Sequence, residues 1–372
     1  MARKDKSRRR IKDWQARWQA GDELDDVVAH GRRMSARGVK LREDRFATPE
    51  NLDDLPRREG MVTGLFRGGA TVRIEGIERL CGIAKTFRPP SEATPLVVGD
   101  VVTVALLTPG QVDTAGADKD RADGMILNRR ERTTVLARPS PWSAKRRDRY
   151  GTEPPAKVIA ANMDALLIVA AVKRPPLRRA LIDRFLIVAE RGGLSPVLVV
   201  NKVDLARPDE AMLGEFRALG VEAVTTSVKT GEGLDALTAS LRGRRSVLTG
   251  ASGVGKTALV NRLLPGTDAP TRSVRAKDER GRHTTSAASV YDLPEGGMIV
   301  DTPGVRELGV NLSAAELPWY FPEFEPCAND CRFNDCTHTH EPDCAVRAAV
   351  ERGDIPARRY HSYLRILDSI EQ

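Results

Sequence analysis

Residues Gly250–Thr257, with the sequence GASGVGKT, decide the fold of this chain. Glycines at this spacing let backbone N–H groups close around phosphates, Lys256 neutralises phosphate charge, and Thr257 offers a hydroxyl to Mg²⁺. The motif requires a strand before the loop and a helix after it, and Ser246–Thr249 and Ala258–Leu264 have those patterns. The stretch therefore predicts a nucleotide-phosphate loop in an α/β domain.

Two further motifs favour guanine over adenine. Asp204, the last residue of Asn201–Asp204 (NKVD), can accept hydrogen bonds from N1–H and the exocyclic amine of guanine. Adenine cannot supply that pair, and a buried acceptor left unpaired is costly. Asn201 and Lys202 would brace the loop and cover the ring, and Ser227–Lys229 (SVK) follows about one helix–strand unit later. GTP and GDP are the expected ligands.

The four guanine-nucleotide motifs of the chain occur in a rotated order. Asn201–Asp204 and Ser227–Lys229 precede the phosphate loop, and Asp301–Gly304 (DTPG) follows it. In an ordinary GTPase the phosphate loop leads and the base-reading motif closes the domain. Because the termini of compact α/β domains lie at the surface and often close together, such a rotation is physically tolerable. The order predicts a circularly permuted GTPase in which residues from Leu308 onward continue directly from the nucleotide-sensing loop.

Residues expected to act in hydrolysis lie in two loops. Asp301 would reach Mg²⁺ through water, and the Gly304 N–H would sense the γ-phosphate. Val305 stands where many GTPases place a glutamine that orients the attacking water, so intrinsic hydrolysis should be slow. His283 is the candidate replacement, with a surface histidine of no function as the equal alternative. One hydroxyl of Thr284–Thr285 would also bind Mg²⁺, and spacing leaves open which.

A short cysteine-rich segment near the C-terminus has the spacing of metal ligands. Its pattern is C-x4-C-x-H-x5-C, formed by Cys331, Cys336, His338 and Cys344. Three thiolates and one imidazole close a tetrahedral shell, which suits one structural Zn²⁺. Cys327 and His340 remain alternative ligands. The segment is too polar to fold around an apolar core, which favours a metal site over unconnected cysteines. Two helices are predicted beyond it, at Cys344–Glu351 and Ala357–Ile370.

Residues 58–140 have the pattern of a small barrel. Five short β-type runs predict five strands, at Met61–Phe66, Ala70–Ile74, Leu80–Ile83, Val101–Leu107 and Met125–Leu127. The pattern fits an OB-fold or an SH3-like barrel equally. We predict four further segments: a basic, largely disordered extension at 1–57 with one short helix near Trp14–Gln19, a linker at 141–156, the GTPase domain at 157–310, and a zinc-binding helical domain at 311–372.

The charge of the chain favours polyanionic partners. It has 59 Lys and Arg against 51 Asp and Glu, a net charge of +8 and a pI near 9.4. Basic residues cluster at Arg3–Lys12 and Lys145–Arg149, which we expect to contact phosphates. The longest apolar run, Ala165–Val172, is too short to span a bilayer. We therefore expect a cytoplasmic monomer with no membrane partner and with reduced cysteines.

The motif order and the cysteine–histidine spacing resemble those of the bacterial ribosome small subunit-dependent GTPase A family, the circularly permuted YjeQ-type GTPases. The resemblance covers residue 58 to the C-terminus. It implies an OB-fold, a permuted GTPase domain and a zinc-binding helical domain, in that order. It also implies binding to the 30S ribosomal subunit through 16S rRNA, GTP hydrolysis stimulated by that subunit, and a role in late 30S maturation.

The family pattern assigns His283 as the proposed catalytic residue and the four ligands above to zinc. The full set of residues expected to bind nucleotide is Asn201, Lys202, Val203, Asp204, Ser227, Val228, Lys229, Gly250, Ala251, Ser252, Gly253, Val254, Gly255, Lys256, Thr257, Ala258, Thr284, Thr285, Asp301 and Gly304. Ser286, where members commonly continue a threonine run, and the long N-terminal extension depart from the pattern.

Two other functions remain open from the residues. One is a non-catalytic RNA-binding assembly factor whose nucleotide site only stabilises the fold, which Val305 would favour. The other is a GTPase directed to 70S ribosomes or tRNA that uses the same kind of barrel.

Overall fold

The computed structural model describes residues 52–66, 68–89, 94–107, 122–138, 157–264, 288–302, 310 and 312–371. The chain divides into two compact units, residues 1–133 with 140–155, and residues 134–139 with 156–372. Several predicted features lie outside the described residues, namely residues 1–51 of the N-terminal extension with its short helix, the cluster Lys145–Arg149, the linker at 141–156, His283, Thr284, Thr285, Gly304 and Val305.

The first unit contains a closed five-stranded barrel. Its strands are β1 (Arg57–Phe66), β2 (Gly69–Ile74), β3 (Ile77–Ile83), β4 (Val101–Leu106) and β5 (Gly124–Arg129). They follow the order β1-β2-β3-β5-β4, with β3 and β5 parallel and the other pairs antiparallel. This closed order is an OB-type barrel and confirms the five predicted strands. Alternate side chains such as Val62, Val72 and Val104 fill its core.

The second unit is built on a six-stranded sheet. It is preceded by a small antiparallel pair, β6 (Val135–Arg138) and β7 (Lys157–Ala161). The sheet comprises β8 (Ala165–Ala171), β9 (Ser195–Asn201), β10 (Glu222–Thr226), β11 (Arg245–Thr249), β12 (Ser289–Asp292) and β13 (Met298–Asp301). Their order is β10-β9-β8-β11-β13-β12, and only β12 runs antiparallel to its neighbour. All seven residues of β8 are buried, as expected for a central parallel strand covered on both faces.

Helices join these strands in the manner of an α/β domain. They are α1 (Arg179–Arg191), α2 (Glu210–Ala218), α3 (Leu234–Leu241) and α4 (Lys256–Leu263). Helix α3 is followed after three residues by β11, the strand that leads into the phosphate loop. The carboxyl ends of β8, β9, β11 and β13 meet at one edge, where ligands bind in such sheets.

A helical C-terminal lobe, residues 312–371, belongs to the same unit. It contains α5 (Glu325–Ala328), α6 (Ala345–Arg352) and α7 (Ala357–Glu371), preceded by two 3₁₀ turns at Leu317–Tyr320 and Pro322–Phe324. Phe321, Phe324 and Tyr363 form its core, and Ile187 of α1 packs into the same cluster. No helix among the described residues has both the length and the apolar character needed to cross a membrane.

Candidate nucleotide site and metal-ligand cluster

The phosphate loop leaves β11 at a position that only glycine can occupy. Gly250 has φ +137°, and a Cβ there would lie 2.1 Å from the carbonyl oxygen of Val169. At Gly255, with φ +102°, a Cβ would lie 2.5 Å from Nδ2 of Asn201. The loop can therefore pack against β8 and Asn201 only with glycine at these two positions, just before the N–H groups at the start of α4.

Lys256, the lysine of the phosphate loop, lies inside the loop. The side chain of Lys256 is almost wholly buried, and its Nζ donates hydrogen bonds of 2.6 Å to the carbonyl oxygens of Gly250 and Ala251. Thr257 is half-buried, and Ser252, Gly253 and Ala258 are exposed. The loop thus holds an ammonium group inside it and presents a partly exposed hydroxyl at the start of α4, an arrangement suited to phosphate and its counter-ion.

Asn201 and Lys202 join the base-reading loop to the phosphate loop. Asn201 is buried at the end of β9, where its Nδ2 donates to Val254 O at 2.9 Å and its Oδ1 accepts from the Thr226 hydroxyl at 3.2 Å. Lys202 Nζ donates to Gly253 O at 2.7 Å and also to Arg174 O. The two motifs, separated by about fifty residues in sequence, form one hydrogen-bonded unit.

Asp204 is held in place by the third motif. Its Oδ1 accepts a 2.7 Å hydrogen bond from the Ser227 hydroxyl, and Ser227 is fully buried in a turn closed by Ser227 N to Glu232 O at 2.9 Å. Val203 is buried below, while Val228 and Lys229 lie half-buried and exposed after the serine. The other carboxylate oxygen is left for a ligand, and Asp204 is exposed enough to meet one.

Asp301 reaches the same edge of the sheet. It ends β13, which pairs in parallel with β11 immediately before the phosphate loop. Together, the described residues of all four predicted nucleotide motifs surround one edge of the sheet. His283, Thr284, Thr285 and Gly304 lie outside the described residues.

The four predicted metal ligands lie together in the C-terminal lobe. Ligand atoms of Cys331, Cys336, His338 and Cys344 are all within 4.8 Å of one another. The sulfurs of Cys331 and Cys344 are 3.9 Å apart, and each lies 3.6 Å from His338 Nδ1. A tetrahedral zinc centre with ordinary bond lengths gives sulfur–sulfur separations of about 3.8 Å and sulfur–nitrogen separations of about 3.6 Å.

The two alternative ligands stand apart from this cluster. Cys327 Sγ donates to Phe324 O at 3.4 Å, and His340 Nδ1 lies 2.9 Å from the Thr339 hydroxyl.

Burial raises the pKa of the Cys336 thiol to about 12, which disfavours a thiolate without a nearby cation. Burial also lowers the pKa of His338, which favours the neutral imidazole that binds metals.

A carboxylate and two tyrosines support the ligand loop. Glu341 accepts hydrogen bonds from Thr337 N at 2.7 Å, Thr337 Oγ1 at 2.6 Å and Thr339 N at 3.0 Å. Burial opposes ionisation of Glu341, but these hydrogen bonds outweigh it and lower its pKa to about 2. From α7, Tyr360 Oη donates to His338 O at 2.7 Å and Tyr363 Oη to Thr337 O at 2.5 Å.

The same helix is bonded to helix α1 through a buried carboxylate. Asp183 of α1 has a fully buried side chain and accepts hydrogen bonds from Arg358 at 2.9 Å, Arg359 at 2.7 Å and the Ser362 hydroxyl at 2.6 Å. Arg358 also pairs with Glu215, and Arg359 with Glu323. Helix α7 therefore contacts the metal-ligand loop with its tyrosines and α1 with its arginines.

Comparison with known proteins identifies the family. A family model described as RsgA GTPase matches residues 129–311. The small ribosomal subunit biogenesis GTPase RsgA of Gemmatimonas aurantiaca is 42% identical over 282 residues, which are 75% of this chain and 85% of that protein. The chain belongs to the RsgA GTPase family.

Solved structures agree with this membership in the RsgA family. YjeQ from Thermotoga maritima matches with a TM-score of 0.61 and 31% identity, covering 85% of this chain and 99% of that one. YloQ, described as a circularly permuted GTPase, matches with a TM-score of 0.60 and 25% identity, covering 87% and 98%. The rotated motif order, the barrel and the C-terminal cluster are thus those of a circularly permuted RsgA-family GTPase.

Some residues of this RsgA-family site were not found from sequence. Thr226 orients Asn201, Arg174 supplies a carbonyl to Lys202, and Asp183 fastens α7 to α1. Thr226 directly precedes the predicted Ser227, so its position could have drawn notice. Arg174 acts through its backbone and Asp183 through residues about 175 positions away, and neither leaves a local sequence signal.

Proposed function

We propose that this protein is a GTPase of small ribosomal subunit assembly, which binds the 30S subunit in its GTP form and hydrolyses GTP faster when bound there. The single observation that carries the proposal is the hydrogen-bonded unit of Asn201, Lys202 and the phosphate loop, with Asp204 held by Ser227. The relative from Gemmatimonas aurantiaca, whose name states small-subunit biogenesis, supports the cellular process.

Nucleotide binding follows from this geometry. Asp204 accepts from guanine, Lys202 covers the ring, and the Gly250–Thr257 backbone surrounds the phosphates with Lys256 beside them. Thr257 and Asp301, with a threonine of the Thr284–Thr285 pair, would hold Mg²⁺, which neutralises phosphate charge when bound. Gly304 would sense the γ-phosphate, and His283 would orient the attacking water in place of the glutamine that Val305 replaces.

The Cys331, Cys336, His338 and Cys344 cluster would hold one structural Zn²⁺. The atom separations fit a tetrahedral shell, the imidazole is favoured in its neutral form, and the buried thiols need a cation to ionise. The metal would fix the ligand loop against α7, and the closed donor set leaves no position for catalysis. The limits proposed for this helical domain are 311–372, after a GTPase domain at 157–310, a linker at 141–156, a barrel at 58–140 and an extension at 1–57.

The proposed partner is the 30S subunit, contacted through 16S rRNA by a cytoplasmic monomer. A net charge of +8 supports a polyanionic partner, and OB-type barrels are used to bind oligonucleotides. A non-catalytic factor, or a GTPase directed to 70S ribosomes or tRNA, would share the barrel and the nucleotide site. Those alternatives differ in turnover and in the particle that stimulates it.

GTP turnover by the purified protein tests the proposal. It should be slow alone, rise strongly with 30S subunits, and rise little with 50S subunits, 70S ribosomes or tRNA. His283→Ala should lose the stimulated rate while retaining GDP affinity and 30S binding. Stimulation by 70S or tRNA in preference to 30S would favour the second alternative, and no turnover with any particle would favour a non-catalytic factor.

A further inference from the structure

A basic rim lies directly beside the phosphate loop. The loop from Val172 to Arg178 connects β8 to α1 at the carboxyl edge of the sheet, and it exposes Lys173, Arg174 and Arg178. We call these three side chains the rim patch. No carboxylate lies in the loop, and none is present in the first turn of α1.

The rim patch is contiguous with the nucleotide site. The carbonyl oxygens of Arg174 and Gly253 accept from the same Lys202 ammonium. A Cβ at Gly253 would lie 3.7 Å from Cδ of Pro175. Arg178 and Ser252 both line one cavity of about 240 Å³. A ligand on the rim patch would therefore lie next to the loop that surrounds the phosphates.

The rim patch differs in its charge pairing from several other exposed arginines of the domain. Within the described residues, no carboxylate pairs with the side chains of the rim patch. Several exposed arginines elsewhere on this domain do pair, namely Arg207 with Glu232, Arg217 with Glu210, Arg242 with Glu295 and Arg244 with Glu222. Three exposed positive charges in one loop of seven residues, with no carboxylate paired to them, favour a polyanion.

The composition of the loop favours nucleic acid over protein as that polyanion. Interfaces with nucleic acid are polar and strongly positive, whereas the centres of protein interfaces are rich in exposed aromatic and apolar side chains. None of the large hydrophobic side chains exposed in the described chain lies in this loop. Two of the three cations are arginines, whose planar donors match phosphate oxygens.

We infer that the rim patch of Lys173, Arg174 and Arg178 binds the phosphate backbone of the RNA partner, placing RNA against the nucleotide site. This inference rests on the proposed function, since it assigns a contact surface for the same 30S partner. Lys202 donates hydrogen bonds to the carbonyl of Arg174 and to the phosphate loop. RNA bound on the rim patch would therefore contact a loop that is hydrogen-bonded to the same lysine as the phosphate loop.

The test is a salt titration of 30S binding by the double variant Lys173→Gln/Arg178→Gln, which leaves the Arg174 carbonyl in place. The matched control is Arg242→Gln/Arg244→Gln, with equal charge loss at the opposite, amino edge of the sheet. Removing two phosphate contacts should lower the slope of log affinity against log salt by roughly 1.4 to 1.8 and the affinity itself on the order of tenfold. The control should keep the wild-type slope.

Parallel measurements separate the alternatives. The double variant should show the same loss on protein-free 16S rRNA, and its affinity for fluorescent GDP should equal that of the wild type. An unchanged slope on both probes would overturn the inference. A loss of affinity for 30S subunits without a loss for 16S rRNA would indicate that the rim patch binds an acidic protein. A loss of GDP affinity would indicate that Lys173 and Arg178 bind the nucleotide. Wild-type protein that binds 16S rRNA but not 30S would contradict the proposed function and leave the rRNA comparison as the test of the rim patch.

Discussion

Gly250 shows how strictly single residues shape the nucleotide site. Its φ of +137° and the 2.1 Å approach of Val169 O to the position of a Cβ mean that a side chain would both strain the backbone and collide with β8. Asp204 illustrates the complementary case, in which one hydrogen bond from Ser227 leaves one carboxylate oxygen for the ligand. Shape and specificity therefore depend on different residues of the site.

Gly250→Ala should destabilise the fold by about 3 kcal/mol or more, because strain and a backbone collision add. Gly243 is the matched control, since it has φ +71° but no atom within 4 Å of a Cβ position. Gly243→Ala should cost about 1 kcal/mol from strain alone. Urea unfolding of both variants measures the difference, and equal losses would contradict the geometry of the phosphate loop.

Asp204→Asn should exchange base specificity. The amide presents a donor where guanine needs an acceptor, so GTP affinity should fall on the order of a hundredfold. The same donor suits the ring carbonyl that xanthine carries in place of the guanine amine, so XTP should bind better than GTP. Competition against fluorescent GDP measures both affinities. Asp235→Asn, an exposed carboxylate in the first turn of α3, should change neither.

At the scale of elements, α7 joins the two parts of the second unit. Its tyrosines hold backbone carbonyls of the metal-ligand loop, and its arginines meet Asp183 of α1. Helix α1 begins directly after the loop that carries Arg174, whose carbonyl contacts Lys202 of the nucleotide site. Helix α1 therefore connects the nucleotide site to the C-terminal lobe. The lobe is thus fastened to α1 by buried charge as well as by apolar packing.

Asp183→Asn should destabilise the second unit by about 3 to 5 kcal/mol, because the buried guanidinium of Arg359 and its neighbour Arg358 lose their shared carboxylate. Asp354→Asn removes an exposed partner of Arg352 and should change stability by less than about 0.5 kcal/mol. Chemical denaturation of the two variants compares them. A small loss for the Asp183 variant would mean that the network does not hold the lobe.

The pairing of Asp164 with Arg245 predicts a pH dependence at the start of two strands. Partial burial opposes ionisation of Asp164, but hydrogen bonds of 2.7 to 3.2 Å and the charge of Arg245 outweigh it and lower its pKa. A lowered pKa stabilises the fold above the unfolded value of 3.8, and this contribution disappears as pH falls towards the folded value.

Asp164→Asn should therefore cost about 0.5 to 1 kcal/mol near neutral pH, a modest value because the pair is partly exposed. The difference from wild type should be the same at pH of about 7 and 5 and should shrink at about 3.5. Urea midpoints of both proteins at the three pH values give this difference. A constant difference across the range would show that ionisation of Asp164 does not contribute.

The sequence predicts those elements whose formation depends on neighbouring residues better than those that depend on pairing with distant segments. The helices predicted at Cys344–Glu351 and Ala357–Ile370 lie within one residue of α6 and α7 at each end, because both sequences place apolar residues at helical spacing. Strands β6, β7 and β12 were missed, since they are short and their pairing partners are distant in sequence or antiparallel at the sheet edge.

The same contrast between local patterns and long-range contacts applies to the residues of the functional site. Motifs whose chemistry is carried by adjacent residues, such as Gly250–Thr257 and the four cysteine and histidine ligands, could be predicted from spacing. Contacts such as Lys202 with the Arg174 carbonyl depend on the fold and on a backbone atom, so residue type gives no sign of them.

At the scale of the whole molecule, the chain combines an OB-type barrel with a permuted GTPase sheet and a metal-ligand lobe that continues from it. The permutation places the segment after Asp301 in covalent continuity with the C-terminal lobe. Binding of GTP or GDP can therefore bias the position of that lobe, provided that the two nucleotides differ in their affinity for its alternative positions.

Co-sedimentation of the protein with 30S subunits, in the presence of a non-hydrolysable GTP analogue or of GDP, tests this central claim most directly. The protein should sediment with 30S in the analogue and largely remain free in GDP. Equal binding in both nucleotides would contradict a GTP-controlled 30S-binding protein.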